Sequence, residues 1–224
     1  MTVKEFYSSS GICEVLHFTT NRGVVGTLAS GFLKSRRLLR EEDYLQHILR
    51  VNSASRPEES LYFDKSQDWL NFVNLSISEI NRRFFEFFLT WHPKEDVWWA
   101  ILSFDAELME HSGVWFATTN NGYEHCIRLQ EVGGLSRCFE KKIARKGTWT
   151  AWRGGRPAHL PTCEQAEVLY PEQVSINFLR KVYVQRGEDQ DRVRGWIREF
   201  AASYPTLNDV EVVLAPAKFL GKKN

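Results

Sequence analysis

The sequence predicts an α+β fold. Three observations carry that prediction: helix-period segments gather early in the chain while strand-like runs cluster late, no strand is followed by a glycine-rich phosphate loop, and residues 97–104 form a continuous apolar run suited to a strand buried on both faces. Regular βαβ alternation, which a doubly wound parallel sheet needs, is missing from this order. At 224 residues the chain fits one domain with a sizeable core, and eight Trp with fifteen Phe mark it as folded throughout.

The elements follow in order. Residues 13–18 read as a strand, and Thr19, Thr20 and Asn21 offer N-caps for a helix over 22–30 that Gly31 closes. Over 40–51, Leu45, Ile48 and Leu49 recur among charges at helical spacing. Residues 71–77 alternate apolar and polar, and Ser78 with Glu79 then open a helix through Phe88. Periodicity stops over 140–162, where Gly, Pro and basic residues predict a long loop of the functional kind. Strands resume over 164–170 and 176–185. A helix over 189–204 carries Val193, Trp196, Ile197 and Phe200 on one stripe, and 210–214 closes as a strand.

Composition removes several function classes. A formal net charge of +1 argues against a uniformly basic nucleic-acid binder, so any such function must be local. The four Cys have no CxxC spacing, which predicts reduced thiols and no structural zinc. No metal is expected. No segment approaches a membrane span, and no leader-like apolar run follows the N-terminus, which predicts a soluble, cytoplasmic protein. Walker, Rossmann, nucleophile-elbow and HExxH motifs are absent from the sequence, and Pro161-Thr162-Cys163-Glu164 lacks the second Cys of a deaminase zinc site.

What remains is a small set of residues with two readings each. Glu167 interrupts the apolar string Ala166-Glu167-Val168-Leu169; it is either a solvated strand residue or a buried acid with a task. His17 and Thr19 share a strand face at i and i+2; they either grip a ligand together or are a core histidine and a helix cap. Between 137 and 156 seven cations face the single acid Glu140, with Trp149 and Trp152 among them. Phosphate attraction with interleaved stacking surfaces is what a single-strand groove needs, although a solvated basic loop with core-packed Trp gives the same pattern.

The strings Leu16-His17-Phe18-Thr19 before Gly31-Phe32-Leu33, Asn74-Leu75-Ser76-Ile77-Ser78, Val114-Trp115-Phe116-Ala117-Thr118-Thr119-Asn120 and Gln165-Ala166-Glu167-Val168-Leu169 resemble, in that order, the DarT-type nucleic-acid ADP-ribosyltransferases. The resemblance implies a single ADP-ribosyltransferase-like domain over 1–224, with a split β-sheet core flanked by helices. It implies a toxin that uses NAD to place ADP-ribose on a base of single-stranded DNA, releasing nicotinamide, with a role in phage defence. It also implies a cognate antitoxin that removes the modification, such as an ADP-ribosyl-hydrolysing macrodomain protein. Glu167 would stabilise the positive charge that develops on the ribose, and Arg56 would orient the attacked base or be a solvent-facing loop residue. His17, Thr19, Asn52, Ser76 and Arg36, or Arg37 beside it, would bind NAD. Lys141, Lys142, Arg145, Lys146, Trp149, Trp152 and Arg153 would hold the strand. RNA is the alternative acceptor, and a binding module without catalysis the alternative class. Asn120-Asn121-Gly122 departs from the family's usual Asn-Ala-Ala.

Overall fold

The computed structural model of the chain describes residues 1–39, 69–91 and 96–224. The helix expected over 40–51, together with Asn52 and Arg56, lies outside the described residues.

Apolar runs, continuous over 99–104, build an eight-stranded sheet in the order β12-β11-β4-β1-β3-β9-β5-β6. Its strands are β1 (Glu14–Thr20), β3 (Phe72–Ile77), β4 (Trp99–Asp105), β5 (Trp115–Ala117), β6 (Arg128–Gln130), β9 (Glu167–Pro171), β11 (Leu179–Val184) and β12 (Glu211–Leu214). Neighbours are antiparallel except β11 and β12, which run parallel because α6 (Gly187–Phe200) connects them. Among the described residues two ribbons complete the β-structure: β2 (Phe32–Lys34) with β10 (Gln173–Ser175), and β7 (Lys142–Ala144) with β8 (Thr150–Trp152).

The sheet opens along one seam. β1 pairs with β4 from Glu14 to Thr20 but with β3 only at Val15↔Ile77 and Leu16↔Ser76. Beyond Leu16 the two strands part, so the split is a divergence within one sheet, and the cleft between them is where a ligand can enter.

Each face of the sheet is covered. On one, Val15, Leu102, Phe104 and Val182 pack under α1 (Val3–Ser10), α2 (Asn21–Ser30) and α6. There Trp98 stacks on Trp196 of α6 with ring centroids 5.7 Å apart. On the other, Leu16, Trp99, Ile101 and Tyr183 meet Phe85 and Phe88 of α4 (Arg82–Trp91). Phe18 sits edge-on to Phe85, Phe88 and Trp99 at 5.2, 5.5 and 5.8 Å, the geometry that aromatic quadrupoles favour.

Several expectations are corrected. The helix expected from Ser78 starts at Arg82, because Ser78 takes a left-handed turn (φ 60) and Asn81 caps the helix by accepting the Phe84 N–H at 3.1 Å. The expected loop over 140–162 contains the β7–β8 hairpin, whose Ile143 and Ala151 bury against Cys163. The strand expected from 164 begins at Glu167, and that expected from 176 begins at Leu179 after a short 3-10 turn. Helix α6 starts at Gly187 and stops at Phe200 rather than Tyr204. Helices α1, α3 (Arg36–Leu39) and α5 (Glu131–Arg137) and the short strands β2, β5, β6 and β10 carry too few residues for a readable period. Among the described residues no helix is long and apolar enough to cross a membrane.

Candidate active site

Register decides what Glu167 can do. Across five strands Leu16 pairs with Ser76, Ser76 with Glu167, Glu167 with Ala117 and Ala117 with Arg128, so these side chains leave by one face in a single row. Both chain neighbours of Glu167, Ala166 and Val168, are buried as well, which removes the solvated reading: Glu167 itself is 6% exposed. Burial in that row pushes the carboxyl up to about 7, against the opposing pull of the Asn121 N–H, the Asn74 side chain and the Arg128 charge. Its Oε2 accepts the Asn121 N–H at 2.7 Å.

The divergence of β1 from β3 makes a cavity of about 350 Å³ at this point. His17, Thr19, Arg36, Ser76 and Glu167 all line it, whereas Arg37 is exposed outside. His17 bridges the gap where the β1–β3 ladder stops: its Nδ1 lies 3.0 Å from the Asn74 carbonyl, which can only accept. That bond fixes the Nδ1–H tautomer and leaves Nε2 as an acceptor; burial holds the ring's pKa below its ordinary value, the Asn74 bond opposing it, so the imidazole is neutral. Thr19 is released from helix capping, because Thr20 is the N-cap of α2 and accepts the Gly23 N–H at 3.3 Å. Asn52 and Arg56 fall outside the described residues.

The departure at Asn120-Asn121-Gly122 has a structural role. Asn120 Oδ1 accepts the Gly122 N–H at 3.0 Å, a local turn that aims the Asn121 N–H at Glu167.

Of the residues assigned to strand binding, Lys141, Lys142, Lys146, Trp149 and Trp152 are exposed. Trp149 and Trp152 are 63% and 58% exposed, so they are not core residues. Each has a cation over its ring, Arg83 at 5.8 Å on Trp149 and Lys142 at 5.3 Å on Trp152. The other two are held by the fold. Arg145 is 4% exposed and faces Glu164 at 3.7 Å, and Arg153 donates to the carbonyls of Leu160, Pro157 and Ala158. Side-chain identity could not separate these two from the exposed cations; hairpin register does.

Residues 16–216 match the family described as DarT, ssDNA thymidine ADP-ribosyltransferase. The chain belongs to the DarT family. It is thereby one of the enzymes that ADP-ribosylate single-stranded DNA. Solved DarT structures share its fold. Thermus sp. 2.9 DarT in complex with ADP-ribosylated ssDNA is 12% identical, with a TM-score of 0.57, over 92% of this chain and 95% of that one. The same protein in complex with carba-NAD+ matches with a TM-score of 0.57 and 12% identity over 92% and 96% of the two chains. Thermosipho africanus DarTG in complex with ADP-ribose matches at 13% identity and a TM-score of 0.51, over 94% of this chain but 52% of that one. The present chain thus spans about half the length of the Thermosipho DarTG chain. No curated protein matches it.

Three polar residues of this DarT site, Asn74, Asn121 and Arg128, were not legible as such in the sequence. Asn74 stands in the alternating run 71–77 and its face is readable, but its partners His17 and Glu167 lie on two other strands. Asn121 acts through its backbone, which no residue type signals.

Proposed function

We propose that this chain, as a single ADP-ribosyltransferase-like domain, transfers ADP-ribose from NAD+ to thymidine in single-stranded DNA, with Glu167 as the catalytic carboxylate. The observation that carries the reading is a buried carboxyl on the wall of the cleft, tied by one backbone N–H and pushed up to about 7. Solved structures of Thermus sp. 2.9 DarT with NAD+, with carba-NAD+ and with ADP-ribosylated ssDNA support both substrates.

The cavity suits NAD+. Aromatic walls from Phe18, Phe84 and Trp99 accept a flat ring, while Thr19, Ser76 and Glu167 offer hydrogen bonds to a sugar edge. Bound there, NAD+ supplies the ADP-ribosyl group, with nicotinamide as leaving group. Ionised Glu167 places negative charge where positive charge develops on the ribose. A carboxylate with a pKa near 7 is also a better base than an ordinary one, so Glu167 takes the proton that the acceptor base loses on bond formation. Neutral His17 accepts a hydrogen bond through Nε2, Thr19 and Ser76 hold hydroxyl groups, and Arg36 pairs with the pyrophosphate. Asn52 and Arg56 complete the set by family resemblance, Arg56 orienting the acceptor base.

A base within a duplex hides its ring nitrogens, so the acceptor arrives unpaired. Exposed Lys141, Lys142 and Lys146 with Trp149 and Trp152 offer it phosphate and stacking contacts. Modification of DNA templates makes the protein a toxin. We assign it to the cytoplasm and to phage defence, with an antitoxin that removes ADP-ribose as its partner.

The test is Glu167→Gln with a labelled-NAD+ transfer assay on a thymidine-containing oligonucleotide. We expect transfer to fall ~10²- to 10³-fold, the usual range for loss of a preorganised electrostatic group, with oligonucleotide binding retained. Undiminished transfer removes Glu167 from catalysis, and a wild-type protein that binds the oligonucleotide without releasing nicotinamide is a binding module.

A further inference from the structure

We propose that Arg128 is a positioning residue for Glu167, acting through the Asn120–Gly122 turn. The inference rests on the reading of Glu167 as the catalytic carboxylate. Arg128 opens β6, one strand beyond Ala117, in the same row as Glu167. Its guanidinium does not touch the carboxylate. Instead Nε donates to Asn121 Oδ1 at 2.5 Å, Nη2 donates to the Asn121 carbonyl, and Nη1 donates to the Cys126 carbonyl at 3.4 Å. The plane of the group also lies over Trp69, which lines the cleft, at 5.2 Å.

These bonds fix Asn121 from both its side chain and its carbonyl. With the carbonyl drawn toward Arg128, the remaining freedom of the residue is the direction of its N–H, and that N–H is spent on Glu167 Oε2 at 2.7 Å. A carboxylate held by a fixed N–H keeps one orientation toward the cleft, which is the condition for stabilising charge at a defined point. The position needs a rigid fork: five donors in one plane match a side-chain oxygen and a main-chain oxygen at once, and a Lys ammonium does not. Arg128 also carries the positive charge that opposes burial of Glu167.

Among the described residues, few titratable groups face Glu167. Arg128 comes from β6 and Cys126 from the segment before it, with its thiol pushed up by burial to about 11 and therefore neutral. Neutral His17 from β1 and Arg36 from α3 line the same cavity.

The experiment compares Arg128→Met and Arg128→Lys with wild type. The carboxyl protonation midpoint of Glu167 is read by infrared difference titration with Glu167→Gln as blank, beside kcat and KM for NAD+. We expect Arg128→Met to raise the midpoint by ~1 pH unit, as loss of a nearby cation and of a fixed donor does, and to lower kcat by at least ~10-fold with KM changed little. Arg128→Lys keeps the midpoint near wild type but still lowers kcat, because the charge survives and the fork does not. A folded Arg128→Met protein with wild-type midpoint and kcat overturns the proposal, as does a kcat loss that only tracks the unfolded fraction. If the Met variant does not fold, the Lys variant decides: wild-type kcat in it overturns the fork. The infrared midpoint needs no turnover, so an inactive wild type defeats the transferase reading while leaving the Arg128 coupling measurable.

Discussion

At the scale of single residues the cost of a buried acid becomes a measurable property. Glu167 has its carboxyl pushed up to about 7 by burial, against 4.5 for the unperturbed group. Between those values the folded protein holds a proton that the unfolded chain has released. Stability therefore falls as pH rises through that window, and the full penalty is present above pH 7. Glu167→Gln removes it. The variant is expected to gain up to ~3 kcal/mol at pH 8 and nothing below pH 4.5, read by urea unfolding at several pH values. A gain equal at every pH would show that packing rather than ionisation is responsible. The same variant is expected to lose transfer, the result of a site that trades stability for chemistry. In sequence, periodicity made Glu167 legible only as an anomaly and the family resemblance alone named it as a site residue, because period-2 spacing says which residues share a face and not whether that face is covered. Register supplies the missing information, by bringing Ser76, Ala117 and Arg128 alongside.

At the scale of elements, the junction of β1 and α2 couples the fold to the cleft. Thr20 caps the helix, Gly31 ends it in a left-handed conformation (φ 77), and both signals were readable from the sequence. Less readable is Gly23, where an added Cβ would lie 2.0 Å from Thr19 Oγ1. The helix tolerates Ala there; the Thr19 side chain does not. Gly23→Ala is therefore expected to weaken NAD+ binding by on the order of 10-fold, the loss of about one well-placed hydrogen bond, without unfolding the protein. Gly195→Ala in α6 is the control, since outside the helix's own backbone no atom lies within 4 Å of its added Cβ. That control should leave binding unchanged and stabilise the helix by ~0.5–1 kcal/mol. Equal NAD+ titrations for the two variants would detach Thr19 from the ligand. The strong caps explain why α2 was legible, whereas three-residue strands such as β5 and β6 are defined only by the partners they pair with.

At the scale of the whole molecule, a net charge of +1 conceals two separate uses of cations. One set locks the hairpin to the body. Buried Glu164 receives Arg83 at 2.5 Å, Arg145 at 3.7 Å and the Asn224 N–H, while Glu79 receives Arg156 and, at 2.9 Å, the Lys222 N–H. Asn224 also donates its amide to the Trp152 carbonyl at 2.8 Å while Lys223 pairs with Glu86 of α4 at 2.9 Å, so these residues join the hairpin to α4. The other set, Lys141, Lys142 and Lys146, stays on the surface with Trp149 and Trp152. The two sets respond differently to substitution. Trp149→Ala or Trp152→Ala should weaken binding of a single-stranded oligonucleotide by about 1–3 kcal/mol for each base it stacks, roughly 5- to 150-fold. Lys141→Ala or Lys142→Ala should lower the salt slope of log K by about 0.7 for each phosphate that the removed ammonium neutralised. Arg145→Met belongs to the first set: it leaves Glu164 with one cation fewer in a buried site, so it should lower Tm while the salt slope stays at its wild-type value. Fluorescence titrations over a salt series, with melting curves for each variant, separate the two sets. An Arg145→Met protein that melts normally but loses salt dependence would return Arg145 to the strand-binding surface.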